Sequence, residues 1–203
     1  MSQLRVSVSD LEAFREWRES EDDSLEELLK RLRREEPPTP AMKAGSAFHA
    51  ALEHCDADVL GDFDQDGFRF EWACDAELEL PAIRELKAEE RIHTQGLDLT
   101  LVGKVDALHG MTVIDFKTTS QFDAERYIRT YQWRAYTSMF RADTFRWNVF
   151  EMKPKSERVY LISAVHRLEQ HRYSGMEADV LEKLVDYVAF AKAHLPEMFT
   201  HAS

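Results

Sequence analysis

The sequence predicts an α+β protein, or a mixed α/β sandwich, in which helices flank a central mixed β-sheet. Three observations support this class. Apolar residues recur at helical spacing near both ends, short apolar runs fill the middle of the chain from Phe68 onwards, and turn residues separate those runs. The length of 203 residues fits a single domain, residues 1–203, with residues 1–40 as an N-terminal helical segment.

Three helices are predicted before the first strand. Ser9 and Glu12 have the spacing of a capping box, which predicts that the first helix begins there. A charged helix with leucines at helical spacing follows, and a proline-rich break separates it from the third helix. The second helix is predicted over residues 21–36, the break over 37–40 and the third helix over 42–54. A solvated acidic turn is predicted over residues 62–67.

The middle of the chain predicts an antiparallel meander with two hairpins, whose turns are TQG and HG. Its strands are predicted over residues 68–73, 76–80, about 84–93, 97–108 and 111–119. A helix is predicted over residues 124–141. Two strands follow over residues 144–152 and 158–165, with a KPKS turn between them, and a last helix is predicted over about 174–194.

The composition indicates a globular protein with an acidic surface. The formal charge of -12 argues against a nucleic-acid partner, although a site that holds metal ions is itself acidic. Cys55 and Cys74 are too few for a disulfide framework, which predicts reduced thiols. The chain has neither an apolar run of ~20 residues nor a secretory leader, which predicts a cytoplasmic protein without membrane contact.

Charged residues interrupt two apolar strands in the segment GKVDALHGMTVIDFKTTS, residues 103–120. Side chains alternate between the faces of a strand, so Val113, Asp115 and Lys117 share one face. A His109-Gly110 turn predicts which residues pair across the hairpin. The predicted pairs are Leu108 with Met111, Asp106 with Val113, and Asp115 with Lys104.

This register places Asp106 and Asp115 on one face as diagonal neighbours, about 7–8 Å apart at the backbone. Two carboxylates that converge from this distance can share a divalent cation, whereas unpaired they would repel each other. A solvated charged strip on an edge hairpin is the alternative interpretation. A slip of one residue would separate the two acids, so the hypothesis depends on the turn.

Four motifs and the opening segment of the chain, in a fixed order, resemble those of a known family. GKVDAL and VIDFKTT resemble motifs II and III of the PD-(D/E)XK nuclease superfamily, in its RecB-like exonuclease branch. AGSAFHAALEH resembles the G-x-x-x-H helix of that branch, YQWRAY its Q-x-x-x-Y element, and RVSVSDLEAF its opening motif. The resemblance extends over about residues 7–136. It implies a restriction-endonuclease-like core of the stand-alone phage or recombination type.

The resemblance implies phosphodiester hydrolysis assisted by Mg²⁺ or Mn²⁺. The ion would be held by the carboxylates of Asp106 and Asp115, the backbone carbonyl of Phe116, and His49. Lys117 would orient or deprotonate the attacking water, or neutralise charge in the transition state. Asp106, Asp115 and Lys117 are therefore the candidate catalytic residues.

The resemblance also implies DNA as a partner, together with a single-strand annealing or recombination protein as a companion. Gln132 and Tyr136 lie four residues apart and face the same way on a helix, where they would contact the site and the nucleic-acid backbone. Arg129 and Lys104 are further candidates for substrate binding.

Acids outside the two central motifs are additional candidate ligands. Glu53 lies one helical turn beyond His49, and either Glu89 or Glu90 can face the site, but not both. The acidic stretch at 62–67 lacks the glutamate that a calcium-binding EF-hand needs at its twelfth position. Two cysteines do not supply the four ligands of an iron-sulfur cluster, so none is expected.

Two other functions remain open at this point. The charge of -12 is compatible with a catalytically inactive acidic binding protein, such as a DNA mimic, on the same fold. The second alternative is an endonuclease of the same superfamily, which would cut covalently closed circles.

Overall fold

The computed structural model describes residues 2–54, 61–76, 78, 80–94 and 96–201. Within these ranges the helices are α1 (Val8–Glu19), α2 (Leu25–Leu32), α3 (Pro40–His54), α4 (Ala124–Arg129), α5 (Gln132–Met139) and α6 (Met176–His194). The strands are β1 (Ser2–Ser7), β2 (Phe63–Gln65), β3 (Phe68–Trp72), β4 (Ile83–Thr94), β5 (Leu97–His109), β6 (Thr112–Thr119), β7 (Thr144–Ser156), β8 (Val159–His171) and β9 (Phe199–His201). A short 3-10 helix spans Pro196–Met198.

All these strands belong to one mixed sheet in the order β2-β3-β8-β7-β6-β5-β1-β9, and β4 pairs with β5. The pairs β1–β5, β3–β8 and β6–β7 are parallel, and the remaining pairs are antiparallel. The predicted α+β class, a central mixed sheet flanked by helices, is confirmed. No helix within the described residues combines the length and apolar character needed to cross a membrane.

The sheet buries an apolar core on each of its faces. On one side α1, α2, α5 and α6 cover it, and Phe14 meets Tyr187 edge-on with ring centroids 5.5 Å apart. On the other side α3 covers it, and Phe48 packs against Phe150 with centroids 4.7 Å apart. Burying such a ring stabilises the fold by about 1.5–3 kcal/mol. The two cores fix β6 from both faces.

The beginning of the chain differs from the sequence prediction. Residues 2–7 form β1, which pairs in parallel with β5, so the first 40 residues are not only helical. The capping box of α1 is formed by Ser7 and Asp10, not by Ser9 and Glu12: Ser7 Oγ accepts from Asp10 N at 3.1 Å, and Asp10 Oδ2 accepts from Ser7 N at 3.2 Å. Glu12 is therefore not used at the start of its own helix.

Several other boundaries are corrected as well. The helix predicted over 124–141 is interrupted between α4 and α5, and the KPKS segment extends β7 instead of turning. The acidic stretch at 62–67 includes β2, while Leu78 and Leu80 are buried outside any strand. β3 pairs with the distant β8 and not within a meander. Cys55 lies outside the described residues, and Cys74 is a free thiol.

The hairpin between β5 and β6 turns one residue later than predicted. The observed pairs are Ala107 with Ile114, Leu108 with Val113, and His109 with Thr112. The loop is therefore Gly110-Met111, and Gly110 has a φ of 58°, which a two-residue hairpin loop requires at this position. The predicted pairs of Leu108 with Met111, Asp106 with Val113 and Asp115 with Lys104 are wrong. Continuing the observed register brings Asp106 opposite Asp115, and the two-residue shift leaves them on the same face.

Candidate active site

The site lies where two neighbours of β5 separate. Along one edge of β5, β1 pairs with residues 97–102 and β6 with residues 107–109, while β4 follows the other edge. Asp106 lies in the interval between β1 and β6. Its Oδ2 accepts a hydrogen bond from the backbone N–H of Phe116 at 2.6 Å. The carboxylate thus bridges the strands where their backbone pairing stops.

Asp115 and Lys117 point into the same interval from β6. The Lys117 ammonium lies 3.0 Å from both oxygens of Asp115, and Oδ1 accepts its hydrogen bond. Asp115 is only 4% exposed, and its Oδ2 accepts no hydrogen bond among the described residues although the Lys117 ammonium lies 3.0 Å away. Asp106 and Asp115 together carry more negative charge than this one ammonium neutralises, and a further positive group would compensate the excess.

The charges at the site perturb one another. Burial raises the pKa of Asp115 to about 6, against the attraction of Lys117 and with the repulsion of Asp106. Burial also raises the pKa of Asp106, which Lys117 opposes. For Lys117, burial disfavours the cation, but attraction by the two aspartates outweighs burial and raises the pKa of the ammonium. Lys117 is therefore a cation at neutral pH. Its single positive charge faces the two carboxylates of Asp106 and Asp115.

His49 approaches the acids from α3. Its Nδ1 lies 3.8 Å from Asp106 Oδ2. Burial, followed by the positive charge of Lys117, lowers the pKa of His49 to about 4, so the imidazole is neutral at pH 7. Gly45, one turn earlier, allows this approach, because a Cβ there would lie 3.0 Å from Thr118 Oγ1. The predicted Gly45–His49 pattern thus brings a neutral nitrogen ligand to the acids.

A cleft of about 990 Å³ opens over these groups. It runs between α3, the ends of β5 and β6, and the start of the β7–β8 hairpin. Its charged and titratable lining residues are His49, Glu53, Glu85, Lys104, Asp106 and Lys117. The candidate residues Asp106, Lys117, His49 and Lys104 therefore share one cleft, with Asp115 buried beneath them.

Gln132 and Tyr136 lie behind the cleft and do not line it. Tyr136 is 5% exposed. Burial, followed by the negative charge of Asp115, raises the pKa of Tyr136, and the Gln132 side chain opposes this rise. Because it is buried, Tyr136 supports the site from within, while the half-buried Gln132 has an edge toward solvent.

Gly103 is the position at which Tyr136 meets the sheet. A Cβ on Gly103 would lie 2.5 Å from Tyr136 Cε1, closer than atoms can pack. We expect Gly103→Ala to displace the ring and to destabilise the fold by about 1–3 kcal/mol, the usual cost of overpacking. Thermal denaturation measures this. Gly61→Ala is the control, since its Cβ would meet nothing within 4 Å; equal melting temperatures for the two variants would contradict the close packing.

Glu85 is a residue of the cleft that the sequence did not indicate. In β4, Arg84 pairs with Ala107 and Leu86 with Val105, so Glu85 lies opposite Asp106 where this pairing is interrupted, and its φ is 55°. It forms an ion pair with Lys104 of β5. Neither Glu89 nor Glu90 lines the cleft. No local pattern marks Glu85, because its place opposite Asp106 depends on the register between β4 and β5.

Arg129 lies away from the cleft. Its side chain is exposed in an ion pair with Glu125 on α4 and lines a separate depression with Arg15 and Asp179. The structure therefore does not bring Arg129 together with the other predicted site residues. The helix break is the physical reason, because α4 ends at Arg129 and α5 begins at Gln132, so the two residues do not share the face of one continuous helix.

The donor types at the acids are those that a hard divalent cation takes. Within the part of the chain that the structure describes, no group of three or more His, Cys, Asp or Glu side chains is arranged so that it could hold a metal ion by itself. The groups present are the two carboxylates, the backbone carbonyl of Phe116 and the neutral imidazole of His49. Oxygen donors predominate in this set, as Mg²⁺ and Mn²⁺ prefer, and such ions keep several water ligands. A bound cation would compensate the negative charge that Asp106 and Asp115 carry in excess of Lys117.

Comparisons with known proteins support the fold. No protein-family model and no curated protein matches the chain. The crystal structure of SSO0001 is similar with a TM-score of 0.56 at 16% identity, over 92% of this chain and 76% of that one. A phage-related exonuclease from Haemophilus somnus 129PT gives a TM-score of 0.37 at 14% identity, over 58% of this chain and 63% of the exonuclease. At these identities the first similarity shows a shared fold alone, and the second is too weak to add to it.

Proposed function

We propose that the protein is a metal-dependent DNA exonuclease that hydrolyses phosphodiester bonds in DNA recombination, repair or phage DNA processing. One observation carries the proposal: Asp106 and Lys117 line one cleft and Asp115 is buried on Lys117 beneath it, so two carboxylates share a single ammonium. A structural scaffold has no need of a buried and a half-buried acid beside a lysine. The order of the sequence motifs supports the same chemistry.

The residues that would hold the ion are Asp106 and Asp115 through carboxylate oxygens, Phe116 through its carbonyl, and His49 through a ring nitrogen. Bound Mg²⁺ or Mn²⁺ would polarise a phosphate oxygen and lower the pKa of a coordinated water. The chain contributes the orientation of these donors. The hydrogen bond from Phe116 N to Asp106 fixes that carboxylate, and burial in β6 fixes Asp115.

Lys117 acts as a cation in this proposal. With a raised pKa, its ammonium holds its proton at neutral pH and is a poor general base. Its side chain lines the cleft and is 33% exposed, and its Nζ lies 3.0 Å from Asp115 Oδ2. From this place it can donate to the attacking water or to a phosphate oxygen as negative charge develops.

Gln132 is proposed to contact the DNA backbone from the edge of the site. We expect Gln132→Ala to weaken DNA binding about fivefold, because one hydrogen bond contributes ~1 kcal/mol. Fluorescence anisotropy with labelled DNA in EDTA measures the dissociation constant without cleavage. Gln170→Ala on β8, equally half-buried, is the control. Equal affinity of the two variants would remove Gln132 from the DNA contact.

The proposal is tested with end-labelled linear DNA and covalently closed circular DNA, each incubated with Mg²⁺, Mn²⁺ or EDTA. We expect release of nucleotides from the linear DNA with either metal, intact circles, and no reaction in EDTA. Cut circles would support the endonuclease of the same superfamily. DNA that stays intact with both metals would overturn the proposal in favour of an inactive acidic binding protein, which the charge of -12 favours.

A further inference from the structure

Helix α5, which carries Gln132 and Tyr136, begins without a cap of its own. Tyr131 occupies the N-cap position but makes no side-chain hydrogen bond to the first turn, and this turn contains no acidic residue. The first N–H groups of a helix have no partner within the helix, and burying them unpaired is costly. Something outside α5 must satisfy these groups.

Glu12 of α1 satisfies them from a distance of 119 residues in the sequence. Its Oε2 accepts from Tyr131 N at 2.6 Å and from Gln132 N at 3.0 Å. A carboxylate at this end of a helix also interacts favourably with the helix dipole. Glu12 is only 8% exposed, so solvent does not compete with these bonds.

Arg15 holds the carboxylate in place. Its Nε and Nη2 donate to Glu12 Oε1 at 2.9 Å and 2.6 Å, and its Nη1 pairs with Glu19. Both oxygens of Glu12 are thereby engaged, one with the arginine of its own helix and the other with α5. A buried carboxylate with all its partners satisfied has one orientation, and this fixes α5 relative to α1.

The start of α5 is connected to the site through Gln132 and Tyr136 of the same helix. Gln132 is the first residue of α5, and Tyr136 lies one turn later on the same face of the helix. Tyr136 packs on Gly103 in the interval of the sheet that contains Asp106. A shift of the start of α5 would therefore move the Gln132 amide that faces DNA in the proposed function.

We propose that Glu12 is a positioning residue, which sets the place of Gln132 by capping α5 from α1; this rests on the proposed function. Removing the cap should reproduce the DNA-binding defect of Gln132→Ala without touching the acids or Lys117. Glu12→Ala is expected to weaken DNA binding in EDTA about fivefold and to raise KM about as much, leaving kcat within about twofold. The double variant with Gln132→Ala should bind no more weakly than Gln132→Ala alone.

Conservative variants keep the test decisive if Glu12→Ala folds poorly. Glu12→Gln keeps one oxygen that can accept from both amides but turns its NH2 toward the Arg15 donors, so it should restore part of the affinity, while Glu12→Asp is too short to reach the amides and should restore none. The control is Ser24→Ala, which removes the cap of α2, where Ser24 Oγ accepts from Glu27 N at 3.1 Å. It should lower the melting temperature as caps do, with DNA binding unchanged.

Amide hydrogen exchange of the segment around Tyr131 and Gln132 tests the cap independently of DNA. Faster exchange confined to this segment in Glu12→Ala is expected. Unchanged exchange, or DNA binding equal to that of Ser24→Ala, would overturn the inference. Wild-type protein that neither binds nor cuts DNA would overturn the proposed function instead, and the exchange comparison would still decide whether Glu12 positions Gln132.

Discussion

Replacing Lys117 with alanine is expected to lower the rate of magnesium-dependent DNA hydrolysis about 10²- to 10⁴-fold, the range for a group that assists proton transfer or stabilises charge. The ammonium is the positive side chain that the structure places on Asp115, and alanine removes it without adding a clash. Asp115→Ala should be at least as severe, since it removes a proposed ligand of the ion. Initial rates on end-labelled linear DNA measure both effects.

The fold must survive for this result to be informative. Far-UV circular dichroism and thermal denaturation establish that Lys117→Ala is folded. Lys30→Ala is the matched control, because Lys30 forms a surface ion pair with Glu26 on α2, outside the cleft. A Lys117→Ala enzyme as fast as Lys30→Ala would exclude the lysine from catalysis.

The second large effect concerns metal binding. At 100 times the dissociation constant, Mg²⁺ or Mn²⁺ should stabilise the wild-type protein by about 2.7 kcal/mol. For a domain of this size that raises the melting temperature by about 5–10 °C. We expect Asp106→Asn to lose most of this shift, because an amide is a weaker ligand than a carboxylate.

Without metal, Asp106→Asn should be at least as stable as the wild-type protein without metal. Burial raises the pKa of Asp106 in the folded chain, so its ionised form costs folding free energy at neutral pH, and asparagine removes that charge. The asparagine oxygen can still accept from Phe116 N. Asp64→Asn, in the exposed β2–β3 hairpin, is the control and should keep the metal shift. Loss of the shift in Asp64→Asn instead would place the ion in that hairpin.

The sequence predicted the composition of the site better than its geometry. Strand alternation placed Asp106, Asp115 and Lys117 on one face. Because the turn lies one residue later than predicted, each residue of β5 pairs with a residue of β6 two positions further on, and a change of two positions keeps the same face. A shift of one would have separated the acids. The pairing of Lys104 with Asp115 failed because it depended on the turn, where Gly110 and not His109 takes the first loop position.

The features that sequence reasoning missed depend on contacts between distant segments. β1 is a strand because β5 lies beside it, ninety or more residues along the chain, and no local pattern shows that. Glu85 reaches the cleft because the register of β4 on β5 places it opposite Asp106. Glu12 fits a capping box by spacing, yet it caps a different helix, because Ser7 and Asp10 already close the start of α1.

The presence of a cation between the two aspartates is tested most directly by anomalous diffraction from crystals of the wild-type protein grown with Mn²⁺. We predict an anomalous difference peak within coordination distance of Asp106 and Asp115 Oδ2, with the imidazole of His49 adjacent. Crystals with Mn²⁺ but no peak at these carboxylates, or with the ion bound only elsewhere, would contradict the proposed active site.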